Sequence, residues 1–230
     1  MENQEKKAGS KKHTALPEAV FEPLEAGYGG YVAGIDEAGR GSLAGPVSVG
    51  IVLFPPDPPA DPGLALIRDS KELSAPQREE AMHSICRYAL YARVAHESQK
   101  VIDSSGINIA IHRAILRLVG RWPLFGKESL TLLIDGNYRF DWSELKKCQV
   151  FSIVKGDRRV RSIAAASILA KVTRDRRMRK YGTLYPEYAF ERHKGYGTEQ
   201  HLETLERIGK SPIHRHTFCP VPDRQERLPF

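Results

Sequence analysis

Apolar and polar residues along this chain follow two periods, and the changes between them mark the elements. YVAGID (Tyr31 to Asp36) is a short apolar run suited to a buried strand. PVSVGIVLF (Pro46 to Phe54) alternates and is rich in β-branched residues, which predicts a second strand. The glycine- and alanine-containing stretch between them is short enough for a hairpin-like antiparallel connection. SAPQREEAMHSIC then takes a helical period, with Ser74 as N-cap and Pro76 in the first turn. RYALYARVAHES returns to strand character. NIAIHRAILRLVGRW places Ile111, Ala114, Ile115 and Leu118 on one helical face, with Asn108 as its expected cap. TLLID (Thr131 to Asp135) and QVFSIV (Gln149 to Val154) read as two further strands. A long helix follows from about Arg158 to Lys180, and its small residues Ala164, Ala165, Ala166 and Ser167 permit close packing. TEQHLETLERIG forms the last helix, closed by Gly209. Three strands followed by alternating helices and strands predict an α/β fold, a mixed sheet flanked by helices.

The ends differ from this pattern. Residues 1–27 are polar, lysine-rich and without period, and read as a disordered N-terminal extension. Residues 220–230 are proline-rich and read as a flexible C-terminal tail. Residues 28–219 then form one domain, for which 230 residues at 41% hydrophobic supply ample core. The N-terminus has lysines but no apolar run behind them, unlike a secretory signal, and no segment approaches the roughly 20 apolar residues of a membrane span. A cytoplasmic monomer is expected. Cys86, Cys148 and Cys219 are far apart and lack zinc-site spacing, so reduced structural thiols are the expectation. The formal net charge of +7 makes nucleic acid the first partner to consider and an anionic membrane surface the second.

The chemistry lies in where the acids fall. Asp36 and Glu37 end the first strand, Asp135 ends the fourth, and Asp157 follows the fifth. Carboxylates gathered at one sheet edge repel one another unless cations lie between them. Oxygen-only donors select hard ions such as Mg²⁺ or Mn²⁺, and no histidine or cysteine accompanies them to favour zinc. Successive residues of a regular strand face opposite ways, so Asp36 and Glu37 are expected to need a twist, bulge or strand end. The competing reading is four separate, solvated strand-end acids. Two cations about 4 Å apart activate a water and steady a leaving 3′-oxygen, which makes phosphodiester hydrolysis the natural reaction here.

Six blocks in order resemble ribonuclease HII, the bacterial type 2 ribonuclease H family: GIDEAGRGSLAGP (34–46), DSKELS (69–74), LIDGN (133–137), KGDRRVRSIAAASILAKVTRD (155–175), HKGYGTEQH (193–201) and HRHTF (214–218). The resemblance implies a ribonuclease H-like fold, with a central mixed five-stranded sheet flanked by helices and a helical C-terminal part. It implies that Asp36, Glu37, Asp135 and Asp157 are catalytic metal ligands for Mn²⁺ or Mg²⁺. It also implies cleavage on the 5′ side of ribonucleotides, in RNA–DNA hybrids and at single ribonucleotides in duplex DNA, leaving 5′-phosphate and 3′-hydroxyl ends. Gly39, Arg40 and Gly41 match the family's ribose-sensing loop, Tyr196 its sugar-packing tyrosine, and Lys71 a lysine near the cleaved phosphate. The alternative from another class is a non-catalytic nucleic-acid-binding module on the same fold.

Three further readings stand beside these. Arg174, Arg177 and Lys180 fall on nearby helical turns and could grip phosphates. His214 and His216 are expected to pack rather than to bind metal, and Thr217 stands where the family usually has serine. Gln225, Leu228 and Phe230 resemble a short sliding-clamp-binding peptide.

Overall fold

The computed structural model describes residues 19–218. The C-terminal tail, with Cys219 and the clamp-like Gln225, Leu228 and Phe230, lies outside them, as does the first part of the N-terminal extension. The extension does not run to residue 27 as expected. Pro23–Gly27 forms a 3-10 turn, the Glu22 carboxylate accepts two hydrogen bonds from Arg159, and Glu25 accepts one from the Ser162 amide. Proline and paired acids hold this short polar segment to the domain, a form of order that apolar periodicity does not report.

The elements run β1 (Tyr31–Ala38), β2 (Val47–Leu53), α1 (Pro62–Ala65), α2 (Ala75–Tyr88), β3 (Tyr91–Glu97), α3 (Gln99–Ser105), α4 (Ile107–Gly120), β4 (Leu130–Asp135), β5 (Cys148–Ile153), α5 (Arg161–Leu184), α6 (Phe190–His193) and α7 (Glu199–Ile208). The strands form one sheet in the order β3-β2-β1-β4-β5. β1 and β2 pair antiparallel, as do β2 and β3, whereas β1, β4 and β5 run parallel. This is the mixed five-stranded sheet expected.

Each face of the sheet carries its own core. On one face Ala33, Ile35, Val49 and Ile51 pack with Ile111, Ala114, Ile115 and Leu118 of α4. On the other, Val52 packs with Ile85 of α2 and Ala164, Ala165, Ala166 and Ile168 of α5. The small residues let α5 lie almost on the backbone of the sheet. A Cβ placed on Gly34 would come within 2.2 Å of the Ile163 nitrogen, and one on Gly50 within 2.3 Å of the Ala166 oxygen. A separate cluster of Met178, Tyr188, Phe190, Leu205 and Ile213 builds the helical C-terminal part.

Caps fall partly where the sequence puts them. Ser74 caps α2 and forms a reciprocal capping box with Gln77. Gly106, not Asn108, caps α4, and α5 begins at Arg161 because Lys155 turns left-handed and Gly156–Arg158 forms its own 3-10 turn. Among the described residues no helix is long and apolar enough to cross a membrane.

Candidate active site

β1 stays regular to its end, with Asp36 opposite Gly50, Glu37 opposite Val49 and Ala38 opposite Ser48. Of the three expected arrangements the structure has the strand end, since β1 stops at Ala38 without a bulge, and the two acids reach the sheet end from opposite faces. Asp36 lies on the α5 side, where the Ser167 hydroxyl donates to it. Glu37 lies on the α4 side, where the Tyr138 hydroxyl donates to its Oε1 at 2.7 Å. Asp135 ends β4 beside β1, and its Oδ1 accepts the Gly156 amide at 2.6 Å. That bond fixes the 3-10 turn carrying Asp157, so all four acids gather along the ends of β1, β4 and β5.

Their electrostatics record the crowding. Burial, followed by the charges of Glu37 and Asp135, pushes the Asp36 carboxyl well above the usual range. Burial raises Glu37 too, against the opposing hydrogen bond from Tyr138 and the charge of Arg40. Asp157 is raised by burial and by the charges of Asp135 and Asp69. An all-oxygen set held at this repulsion fits a hard divalent cation, which would favour the ionised forms. Among the described residues, however, no three His, Cys, Asp or Glu side chains already gather into a group that could hold a metal ion. Protein donors occupy the carboxylates instead.

Lys71 and Arg158 flank the Asp157 side. The Lys71 ammonium is 3.8 Å from Asp157 and 3.7 Å from Asp69, and Arg158 donates twice to one oxygen of Asp69. For Asp69, burial acts upward, but the Lys71 amide and Arg158 outweigh it and hold the carboxyl low.

The loop after β1 is held from behind. Gly39 has φ +88°, and a Cβ there would lie 1.9 Å from Nε of Arg174. Arg174 and Arg215 are wholly buried and have no acidic partner among the described residues. Arg215 donates to the carbonyls of Gly39 (2.7 Å), Arg40 (2.8 Å) and Gly45 (3.0 Å). Arg174 donates to the carbonyls of Pro46, Ala44 and Lys194 and to the Ser42 hydroxyl. With the carbonyls drawn inward, the Arg40 and Gly41 amides donate to no other described residue. Burial lowers the Arg174 guanidinium and brings Arg215 down to about 9. Arg174 is thus a structural residue and not the surface phosphate contact that its helical spacing suggested.

Tyr196 lies against the same support, with the Arg174 guanidinium 5.3 Å from its ring centre and 37% of the residue exposed. Its carbonyl accepts from Nδ1 of His201, whose Nε2 meets Nε2 of His214 at 3.0 Å. The Ser211 amide donates to Nδ1 of His214, so His214 carries its proton on Nε2 and His201 on Nδ1. His214 therefore packs, as expected. His216 is elsewhere, its amide on Asp103, and Thr217 keeps a hydroxyl that donates to the same acid at 2.7 Å.

Sequence reading missed Tyr138, which donates to Glu37 and accepts from Arg40 at 2.6 Å, and Asn108, which also accepts from Arg40 at 2.6 Å. Neither has a spacing signal, since both are brought in by the tertiary fold.

A profile of the family described as ribonuclease HII matches residues 33–221. The chain belongs to the ribonuclease HII family. Ribonuclease HII of Chlorobium chlorochromatii is 44% identical over 208 residues, covering 90% of this chain and 95% of that one. Ribonuclease HII of Idiomarina loihiensis is 45% identical over 190 residues, covering 83% and 96%. Among solved structures, ribonuclease H2 of Pyrococcus horikoshii superposes with TM-score 0.60 at 25% identity, covering 81% and 93%. Ribonuclease HII of Archaeoglobus fulgidus, solved as a complex with PCNA, gives TM-score 0.65 at 24% identity over the same shares of the two chains. Bst-RNase HIII, solved with Mn²⁺, gives 0.58 at 17% identity, covering 92% and 73%. The last two show the fold alone. The chain is a ribonuclease H enzyme, an endonuclease of the ribonuclease HII family with the ribonuclease H fold.

Proposed function

We propose that this enzyme hydrolyses the phosphodiester on the 5′ side of ribonucleotides, in RNA–DNA hybrids and at single ribonucleotides embedded in duplex DNA. The products carry 5′-phosphate and 3′-hydroxyl ends, and the reaction serves ribonucleotide removal from DNA and RNA primer removal. The observation that carries this reading is the gathering of Asp36, Glu37, Asp135 and Asp157 beside a loop whose outward amides are unengaged.

Asp36, Glu37, Asp135 and Asp157 would hold two divalent cations, Mn²⁺ or Mg²⁺, which when bound would supply Lewis acidity and lower the pKa of a coordinated water. Tyr138 and Arg40 orient Glu37, and the Gly156 amide orients Asp135. The amides of the Gly39–Arg40–Gly41 loop donate to the 2′-hydroxyl that distinguishes RNA. Tyr196 offers its face to the neighbouring sugar. The exposed Lys71, 3.8 Å from Asp157, places positive charge where the scissile phosphate docks.

Asp36→Asn tests the ligand assignment: cleavage is lost while affinity for the duplex stays near wild type. Turnover comparable to wild type would overturn it. Comparing a single-ribonucleotide duplex with a long hybrid tests the substrate range, and cleavage of the hybrid alone would remove the single-ribonucleotide activity from the proposal. We further assign the tail residues Gln225, Leu228 and Phe230 to a sliding clamp. Deleting residues 225–230 abolishes clamp retention in a pull-down, and unchanged retention refutes the assignment.

A further inference from the structure

A second basic concavity lies at the free edge of β3, away from the carboxylates. It has a volume of about 280 Å³, and its lining includes His96, Arg117, Arg121, Arg177 and Tyr181 and no acidic residue. Arg117 lies on α4 and Arg121 caps its C-terminus on one face of the sheet, while Arg177 and Tyr181 come from α5 on the other. Helices from opposite faces thus bring three guanidinium groups to one edge. Arg117 is engaged, donating to the His96 carbonyl and to Glu97. Arg121 and Arg177 are exposed and have no ion pair among the described residues. On the same helix as Arg177, Arg174 is satisfied by loop carbonyls, Arg176 and Arg179 by Glu79, and Arg161 lies over the Phe54 ring.

His96 reports the local potential. Burial, then the charges of Arg177 and Arg117, hold its imidazole neutral, down to about 4, and Nδ1 pairs with the Ser48 hydroxyl at 2.7 Å. The three guanidinium groups, with no carboxylate in the lining, repel a metal cation and suit an anion.

The register places this site relative to the chemistry. Ala38, next to Glu37, lies opposite Ser48, and Ser48 lies opposite His96. His96 is therefore two strands across from the end of β1, about 10 Å at ordinary strand spacing. That is about three base-pair steps along a duplex.

We infer that Arg121 and Arg177, with Arg117, form a second phosphate subsite that grips the nucleic-acid backbone outside the catalytic cleft. The inference rests on the proposed duplex substrate and adds a place where that duplex is held. Backbone phosphate is favoured over a small free anion because the arginines are spread across an open edge rather than closed around one point. The grip fixes position and adds affinity without reading sequence.

The test uses the full-length Arg121→Ala/Arg177→Ala variant, sparing Arg117 because it also bonds the β3 edge. Binding is measured with a chelator present, on a long single-ribonucleotide duplex and on duplexes trimmed close to the ribonucleotide on either side. For the long duplex, affinity falls about tenfold and the slope of log affinity against log salt drops by about two. At saturation the cleavage rate is unchanged, and one trimmed duplex binds wild type and variant alike. Unchanged affinity and slope would overturn the subsite, and so would equal weakening on every duplex, which is the mark of general charge. Inorganic phosphate is the second probe. If it raises the melting temperature of wild type but not of the variant, while duplex affinity is equal, the site takes a free anion and the backbone assignment fails. Absence of cleavage by wild type would refute the proposed function without changing any of these binding results.

Discussion

Arg215→Lys keeps the charge and most of the volume of the native side chain, yet it removes the fork that holds the loop. Arg215 donates to three carbonyls, those of Gly39, Arg40 and Gly45. A single ammonium on a similar stem cannot span both sides of the loop, so about two acceptors lose their donor. Each orphaned buried acceptor costs about 1–3 kcal/mol, and the buried charge is not relieved, since lysine is also cationic. For two acceptors that is about 2–6 kcal/mol, and a loss near the middle, about 4 kcal/mol, lowers the melting temperature by about 8–16 °C for a domain of this size. The functional effect is more specific. Released from Arg215, the Gly39 and Arg40 carbonyls turn outward and the Arg40 and Gly41 amides lose their alignment. Thermal melting and binding competition between single-ribonucleotide and all-DNA duplexes measure the two effects. The variant should remain folded at 25 °C, melt lower, and lose most of its preference for the ribonucleotide duplex. Melting within about 2 °C of wild type with preference intact would show that the loop does not depend on this arginine.

Three other outcomes follow from the same structure. His96, His201 and His214 are held down to about 4, 4 and 3 by burial. The unfolded state therefore binds more protons, and each histidine removes about 2 kcal/mol of stability between pH 7 and pH 5. Denaturant melts should show this loss partly flattened in His96→Gln, and an unchanged pH dependence would contradict it. The raised carboxyls of Asp36 and Asp157 act in the opposite sense and gain stability as pH falls, so the single variant isolates the histidine contribution. Gly34→Ala sets a Cβ 2.2 Å from the Ile163 backbone and should cost about 3 kcal/mol or more by lifting α5 from the sheet, checked by urea unfolding. Mn²⁺ at 100 times its dissociation constant should stabilise the wild type by about 2.7 kcal/mol. Asp36→Asn/Asp135→Asn should lose most of that gain, and an equal gain in the double variant would place the ion elsewhere.

The strands, the two long core helices and the mixed sheet were legible because each rests on a local period that burial reinforces. The four acids were legible because each ends an apolar run, and strand ends in such a sheet converge. The loop and the DSK and KGYG segments enter the proposed site only through family resemblance, since nothing local separates them from ordinary turns. What stayed hidden depends on contacts across long sequence separations. Arg174 looked like a surface contact because helical spacing cannot tell which turn of α5 passes beneath the β1 loop. Asn108 looked like a cap because cap chemistry is local, whereas its partner Arg40 comes from 68 residues earlier in the chain. Tyr138 follows β4 with no pattern, yet its hydroxyl joins Glu37 to Arg40. Periodicity left open whether β1 twists, bulges or ends at Asp36 and Glu37, and the structure has the end, with the acids converging around it from opposite faces.

The most direct test is incubation of the enzyme with a DNA duplex carrying one ribonucleotide, with Mn²⁺ or Mg²⁺, and mapping of any nick. A single metal-dependent cut immediately 5′ to the ribonucleotide, with an all-DNA duplex intact, is the predicted result. Cutting that ignores the ribonucleotide, or no cutting by folded enzyme that binds the duplex, would contradict the account.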